Sequence, residues 1–161
     1  MSDLYRIFLN IGSNIQPERN LPQAIDLLRR YGQVQAVSTA WESHAIGMNG
    51  PNFLNACVLL ETSILPDKFK EQVIVPVETD LRRVRNENKN APRTIDIDIV
   101  MTDGTPANLH LWDHAFVIVP MAELIPEFVH PVTREKLSRT AKSIRSQVWI
   151  IERPEILKYS S

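Results

Sequence analysis

The chain has 161 residues, of which 43% are hydrophobic and 23% charged, which fits one domain with a proper core over residues 1–161. Its net charge of −1 argues against a protein whose whole surface binds nucleic acid, so any anion site must be local. The single cysteine excludes an internal disulfide. No stretch is apolar enough to span a membrane and no basic-then-apolar signal opens the chain, so we expect a cytoplasmic protein.

Hydrophobic patterning predicts a strand, a helix and a second strand in the first 41 residues. The apolar run over residues 4–11 predicts a buried strand, which Gly12-Ser13-Asn14 ends. The helix that follows has Pro17 in its first turn and Gly32 just past its end, the usual asymmetry of helix termini. The looser alternation of residues 34–41 predicts the second strand.

The central part of the chain adds two strands and a second helix. A loop covers residues 42–52, and the apolar run Phe53–Thr62 predicts a third strand paired with the second. A helix over about residues 66–85 follows, which Pro76 should kink or interrupt. A polar loop over residues 86–91 and a fourth strand around Asp96 complete the order β-α-β-β-α-β, which is typical of an α+β, ferredoxin-like split βαβ sandwich.

The C-terminal part predicts additions to this sandwich. A short buried strand is expected at residues 117–119, ended by Pro120, and a last strand at residues 148–151. Between them, Thr133 is expected to cap a helix whose apolar face carries Leu137, Ala141 and Ile144.

Two aspartates alternate with isoleucines in the fourth strand. Because alternate side chains of a strand point to opposite faces, Asp96 and Asp98 share one face with Thr94. The opposite face turns toward a core and carries Ile95, Ile97, Ile99 and Met101. The two carboxylates lie roughly 7 Å apart at the backbone, and a divalent cation between them would remove their repulsion. A solvated acidic strand face is the alternative for an arbitrary Asp-x-Asp.

A dense cationic stretch leads into this strand. It holds five basic residues that only Glu87 opposes: Arg82, Arg83, Arg85, Lys89 and Arg93. Arginine forks suit phosphate oxygens, and Mg²⁺ prefers few carboxylates plus substrate phosphates, so the combination predicts a phosphoryl-transfer site. The alternative is a solvated helix end in which Glu78 pairs with Arg82, and for Arg82 alone we favour it.

Phe53 and Asn55 share one face of the third strand. A flat aromatic ring beside an amide suits a flat heterocycle that forms hydrogen bonds. Phenylalanine on a strand is usually a core residue, whereas asparagine is depleted from strands and needs partners when buried. His114 precedes an apolar run, and it either lines the mouth of this pocket or is a satisfied structural histidine.

These motifs resemble those of the 6-hydroxymethyl-7,8-dihydropterin pyrophosphokinase family of folate biosynthesis. The element Pro92-Arg-Thr-Ile-Asp-Ile-Asp98 is highly specific to that family. The other matches follow in family order: Asn10-Ile-Gly-Ser-Asn14, Glu42-Ser43 through Gly47, Asn52-Phe-Leu-Asn-Ala56, Glu78, Arg83-Val-Arg85, and Phe116-Val-Ile-Val-Pro120 followed by Glu123 and Pro126. The resemblance implies a ferredoxin-like fold and Mg²⁺-dependent transfer of pyrophosphate from ATP to the pterin hydroxymethyl group, which releases AMP.

The resemblance also implies roles for individual residues. Asp96 and Asp98 match the aspartates that hold two Mg²⁺ ions, which bridge the ATP phosphates, and Arg83 and Arg93 match catalytic and phosphate-binding arginines. Matches to the nucleotide site are Glu78, Arg85, Arg93, Ile99 and His114. Matches to the pterin pocket are Ser43, Ala45, Ile46, Phe53, Asn55 and Phe116, with Phe116 stacking on the ring.

The chain departs from the family pattern on the nucleotide side. Many members carry a His-Pro pair and a later arginine between the Asp-x-Asp strand and the Phe-Val-x-x-Pro run. In this chain the corresponding segment, residues 104–115, is short and lacks both features. One alternative function is therefore a pterin- or nucleotide-binding paralog with weakened catalysis. RNA binding on a ferredoxin-like sheet is another, which the near-neutral charge disfavours. The expected partners are small-molecule substrates, and the sequence favours neither a monomer nor a homodimer.

Overall fold

One antiparallel sheet organises the computed structural model, which describes residues 3–46, 50–84 and 91–157. The strands within these residues are β1 (Tyr5–Ser13), β2 (Gln33–Val37), β3 (Ala40–Ser43), β4 (Phe53–Thr62), β5 (Asp96–Thr102), β6 (Thr105–Pro106) and β7 (Ile150–Arg153). Their order is β6-β5-β1-β4-β3-β7, and β2 also pairs with β4. The central part of this order is that of a split βαβ sandwich, so the predicted ferredoxin-like fold is confirmed.

Helices pack on both faces of the sheet. They are α1 (Pro17–Leu28), α2 (Pro66–Phe69), α3 (Val75–Asp80), α4 (Ala115–Leu124) and α5 (Leu137–Arg145), with a π-helical turn at Lys70–Ile74 and a 3-10 helix at Leu109–Asp113. A first core joins α1 and α3 to the sheet face that carries Ile7 and Leu9, and a second core joins α4 and α5 to the face that carries Phe8. In the described part of the chain, no helix combines the length and the hydrophobicity needed to cross a membrane.

The predicted interruption at Pro76 is confirmed. The π-helical turn Lys70–Ile74 lies directly before α3, where Pro76 has no N–H to donate to the helical ladder. The regular helix then ends at Asp80 rather than continuing to residue 85. Residues 85–90, and with them nearly all of the predicted polar loop, lie outside the described residues.

Two predicted strand boundaries are wrong. β1 continues through Gly12 and Ser13, because β4 pairs with both residues and β5 pairs with Gly12. The second predicted strand is divided into β2 and β3 at Ser38 and Thr39. At this break, the Ser38 hydroxyl accepts a hydrogen bond from the Cys57 N–H at 2.8 Å and Glu123 accepts one from the Thr39 N–H at 2.7 Å, so side chains replace the ladder partners.

Met101 lies in the second core, not with the isoleucines of β5 as predicted. The pairing of β1 with β5 contains a β-bulge: Leu9 opposes Ile99 and Phe8 opposes Met101, which leaves Val100 as an extra residue on β5. A bulge resets the alternation of side chains, so the period-two pattern fails beyond it.

The C-terminal predictions are wrong in detail. Residues 117–119 belong to α4, which is buried over most of its circumference, and a short apolar run of this kind has no period that separates helix from strand. The helix predicted from Thr133 begins at Leu137, while the Thr133 hydroxyl contacts that of Thr140 at 3.0 Å. The last strand begins at Ile150 and is displaced from its predicted position by two residues.

Candidate functional site

The functional side chains converge because β1 lies between β4 and β5. Gly12 of β1 opposes Asn55 on one side and Asp96 on the other, and Asn10 opposes Asp98. Directly opposed residues of neighbouring strands point to the same face of a sheet. The predicted heterocycle-binding amide and the predicted metal-binding carboxylates therefore lie on one face, and a glycine separates them.

A cavity of about 230 Å³ opens on this face. It is lined by Asn10, Gly12, Ser43, His44, Ile46, Phe53, Asn55, Ala91, Arg93, Asp96, His114 and Phe116. Eight of the residues selected from the sequence thus surround one space, which joins the aromatic and amide side chains to Arg93 and Asp96. Asp98 lies beyond Asp96 on the same strand face, next to Asn10.

Other predicted residues lie off the cavity wall. Ala45 is half-buried in the segment after β3, and Ile99 packs its side chain against the first core, on the opposite face of the sheet. Glu78 and Arg83 lie behind Asp96 rather than in the lining. Arg85 falls outside the described residues.

Asp96 is held by two arginines. Arg83 Nη1 donates to its Oδ1 at 2.9 Å, and Arg93 Nη1 donates to its Oδ2 at 2.9 Å. Arg83 Nη1 also donates to Glu78 Oε2 at 2.6 Å, and this buried carboxylate accepts the Ile97 N–H at 3.2 Å. Glu78 therefore fixes Arg83 against the start of β5.

The predicted pairing of Glu78 with Arg82 is wrong. The carboxylate binds Arg83, and Arg82 is exposed. The helical spacing behind the prediction does not hold, because the helix ends at Asp80 and the backbone of Arg82 is left-handed, with a φ of 61°.

Asp98 differs from its neighbour in having no hydrogen bond or salt bridge to the described residues. Burial is the main cause that raises the pKa of Asp98 to about 6, and the negative charges of Asp96 and Glu78 add to it. The two nearby arginines lower this pKa and offset part of the shift. A bound cation would relieve this unfavourable charge.

The carboxylate set fits Mg²⁺. Among the described residues, no group of three or more histidine, cysteine or acidic side chains is placed to hold a metal by itself. Mg²⁺ usually takes one or two carboxylates and completes its coordination with water and substrate phosphates. Each Asp96 oxygen accepts one arginine hydrogen bond and keeps further acceptor capacity, and Asp98 accepts none from the described residues.

Aromatic rings form two stacked pairs at the cavity wall. His114 stacks on Phe116 with ring centroids 4.8 Å apart and 12° between the planes, and burial lowers the pKa of His114. His44 stacks on Trp149 with centroids 4.4 Å apart and 18° between the planes. The His44 contact depends on the C-terminal segment before β7, and periodicity alone gave no signal for it.

The sequence motif Asn10-Ile-Gly-Ser-Asn14 matched the family, but sequence reasoning gave three of its residues no role in the site. Asn14 fixes the Pro92-Arg93 turn, because its N–H donates to the Arg93 carbonyl at 3.1 Å and its Oδ1 accepts the Arg93 N–H at 2.7 Å. Asn10 Nδ2 donates to Asn55 Oδ1 at 3.1 Å. Gly12 leaves room for that amide, since a Cβ there would lie within 3.0 Å of Asn55 Oδ1.

Comparison with known proteins identifies the family. The model of the 7,8-dihydro-6-hydroxymethylpterin-pyrophosphokinase (HPPK) family matches residues 8–126. The chain belongs to this family. The 2-amino-4-hydroxy-6-hydroxymethyldihydropteridine pyrophosphokinase of Aquifex aeolicus is 31% identical over 141 residues, which cover 81% of this chain and 87% of that protein. The protein of the same name from a Synechocystis species is 31% identical over 134 residues, which cover 76% and 68% respectively.

Solved structures agree on the fold. The HPPK-DHPS of Plasmodium falciparum matches 91% of this chain with a TM-score of 0.73 and 12% sequence identity. At that identity the likeness establishes the fold alone, and the chain spans 45% of the length of that larger protein chain. The HPPK family that the motifs indicated is therefore confirmed by the family match, and its architecture by the structural one.

Proposed function

We propose that this member of the HPPK family transfers pyrophosphate from ATP to 6-hydroxymethyl-7,8-dihydropterin in folate biosynthesis, which gives the pterin diphosphate and AMP. The observation that carries the proposal is the single cavity in which Asn55 and two phenylalanines share a wall with Arg93 and Asp96. The match to the family and the names of two relatives, both pterin pyrophosphokinases, support it.

The aromatic half of the cavity is the proposed pterin pocket. Phe53 and Phe116 supply apolar surface for a flat ring, and Asn55 supplies a directional amide. Ser43, which pairs with Phe53 across β3 and β4, and Ile46 also line the cavity, with Ala45 between them in the chain. Such a pocket orients the hydroxymethyl group toward the charged half of the cavity.

The charged half is the proposed phosphate site. Arg83 and Arg93 are the proposed catalytic cations that place the triphosphate and stabilise charge on the transferred group. The pterin hydroxyl oxygen forms a bond to the β-phosphorus, the bond from that phosphorus to the oxygen shared with the α-phosphate breaks, AMP leaves, and the hydroxyl proton passes to solvent. This chemistry depends on positioning and charge neutralisation, and it needs no covalent protein nucleophile.

Asp96 and Asp98 are the proposed ligands of two Mg²⁺ ions. Bound there, the metal would neutralise phosphate oxygens and bring the triphosphate to the two aspartates. Glu78 keeps Arg83 beside Asp96, so its proposed contribution to the nucleotide site acts through that arginine. His114 lies in the cavity wall, at the end of the short segment 104–115, and is proposed to contact the nucleotide there.

A weakened, pterin-binding paralog is the second candidate. It is favoured by the short path from β6 through the 3-10 helix Leu109–Asp113 to α4, which lacks the His-Pro pair and arginine typical of the family. In that case the pterin pocket would persist while turnover would be slow.

An assay of AMP formation separates the two candidates. Purified protein is incubated with ATP, Mg²⁺ and 6-hydroxymethyl-7,8-dihydropterin, with Asp98→Ala as the matched control. We expect AMP formation that requires the pterin and exceeds the control by at least about 100-fold, the scale of losing a group that stabilises the transition state. AMP at the level of the control, together with calorimetric binding of the pterin, would instead support the paralog.

A further inference from the structure

Asn10 is a buried side chain in the cavity wall that the proposed roles leave unused. It lies in the middle of β1, between Cys57 of β4 and Asp98 of β5, and only 4% of it is exposed. Asparagine is uncommon inside strands, and burying its amide is costly unless both polar ends find partners. The position therefore calls for an explanation beyond packing.

Of the two polar ends of the Asn10 amide, only the NH₂ group has a hydrogen-bond partner among the described residues of the site. Its Nδ2 donates to Asn55 Oδ1 at 3.1 Å, and both side chains are buried. Its Oδ1 is sealed from solvent and has no hydrogen-bond partner among the described residues. A buried acceptor without a partner is rare in folded proteins and often marks a functional site.

The contact fixes the orientation of the Asn55 amide. Asn55 Oδ1 is engaged by Asn10 and lies tightly against Gly12, so Asn55 Nδ2 remains a donor without a partner among the described residues. With Asn10 oriented as it is here, a flip of the Asn55 amide would bring two NH₂ groups together and break this hydrogen bond. Asn10 therefore determines which end of Asn55 is offered to a ligand.

We propose that Asn10 is a positioning and specificity-determining residue for the heterocycle, acting through Asn55. It holds Asn55 as a hydrogen-bond donor toward an acceptor atom of the ring. A pterin carries such acceptors in its ring nitrogens and its carbonyl oxygen. The inference rests on the proposed function, because it takes the pterin as the occupant of the cavity.

The test is a fluorescence titration with 6-hydroxymethylpterin, a fluorescent probe of the ring, in the presence of Mg²⁺ and a non-hydrolysable ATP analogue. Asn10→Ala should raise the Kd of the pterin on the order of tenfold, because the Asn55 amide loses its orientation. The Kd of the ATP analogue should stay within about twofold of wild type, since a positioning role in the ring pocket leaves the phosphate side unchanged. Thr62→Val is the matched control. It removes two part-buried hydrogen bonds of Thr62 Oγ1 at the far end of β4, to the Tyr31 carbonyl and from the Ile64 N–H, and should leave both Kd values unchanged.

A double-mutant cycle tests the action through Asn55. In an Asn55→Ala background, Asn10→Ala should weaken pterin binding by less than about threefold, because the group it orients is gone. Full additivity, or pterin binding by Asn10→Ala within twofold of wild type, would overturn the inference. If Asn10→Ala does not fold, the isosteric Asn10→Asp replaces it, and its loss of the donor to Asn55 should weaken pterin binding at least as much.

The outcomes separate this inference from the proposed function. If wild-type protein does not bind the pterin, the proposed function fails and this inference fails with it. If wild type and Thr62→Val bind, Asn55→Ala does not, and Asn10→Ala binds normally, the function stands and the role of Asn10 is refuted.

Discussion

Gly12→Ala should impair pterin binding while leaving the fold nearly intact. The added Cβ would lie within 3.0 Å of Asn55 Oδ1 and 3.2 Å from Asn55 Cγ, so the amide must withdraw from its position. Withdrawal breaks the 3.1 Å hydrogen bond from Asn10 and misdirects the group proposed to bind the ring. Losing such a contact costs about 1–3 kcal/mol, so the Kd of the pterin should rise roughly 5- to 150-fold.

The stability of Gly12→Ala should change little. The backbone of Gly12 is ordinary strand, and replacing glycine there stabilises by about 0.4–1 kcal/mol through the unfolded chain, which partly offsets the crowding. Gly32→Ala is the contrasting control. Its Cβ would press on the Glu61 carbonyl in the backbone of β4, which cannot rotate away, so we expect a loss of about 1–3 kcal/mol in unfolding free energy.

The assay combines thermal unfolding with pterin titration for wild type and both alanine variants. Gly12→Ala should keep its Tm within a few degrees of wild type and lose affinity, whereas Gly32→Ala should lose several degrees and keep its affinity. The reasoning is refuted if Gly12→Ala binds the pterin as wild type does. It is also refuted if Gly12→Ala and Gly32→Ala lose stability equally.

Three further predictions concern the charged half of the site. The folded state raises the pKa of Asp98 to about 6, so the folded protein holds this proton more tightly than the unfolded chain does. The free energy of unfolding should therefore fall as the pH rises from about 4 through 6. Asp98→Asn should remove that loss and raise the unfolding free energy of the metal-free protein at pH 7.5 by about 1–3 kcal/mol in denaturant titrations. The same variant should not form AMP. Unchanged or lower stability of Asp98→Asn would contradict the prediction. Asn14→Ala should free the Arg93 turn and raise the Kd of an ATP analogue by about 3- to 30-fold in calorimetry, with the pterin Kd unchanged; equal loss of both ligands would count against this role. Removal of Mg²⁺ with EDTA should abolish calorimetric binding of the ATP analogue at pH 7.5, and unaltered affinity would show that the arginines suffice.

Patterns within one strand predicted much of the site, whereas contacts between strands did not. The alternation of side chains along a strand correctly placed Asp96 and Asp98 on one face of the fourth predicted strand. It also placed Phe53 and Asn55 on one face of the third, because the alternation is a local property of extended chain. The β-bulge that moved Met101 to the second core depends on pairing with β1, which a single segment does not reveal. Gly12 was predicted to end the strand because glycine usually marks turns, although its role is to let Asn55 approach the backbone.

Helical patterns predicted correctly that the second helix exists, but they did not predict which side chains pair with each other. Pro76 predicted the interruption of the second helix, but the pairing of Glu78 with Arg82 assumed a helix that extends beyond Asp80. The apolar run before Pro120 has no period that separates helix from strand. In the structure it is part of α4, which packs against α5 and β4. Sequence therefore gave the residue types of the site, and the tertiary pairings gave their partners.

The charge balance of the described site explains why a metal fits there. The described site holds three carboxylates, of Glu78, Asp96 and Asp98, and two arginines, so its formal charges leave one negative charge in excess. A triphosphate entering that field would be repelled at close range, because each arginine is already bound to a carboxylate. A divalent cation at Asp98, which has no hydrogen bond or salt bridge to the described residues, would reverse the sign of the site while leaving both arginines in place. The two aspartates then differ in their proposed roles: Asp96 binds the two arginines, and Asp98 would bind a cation from solution.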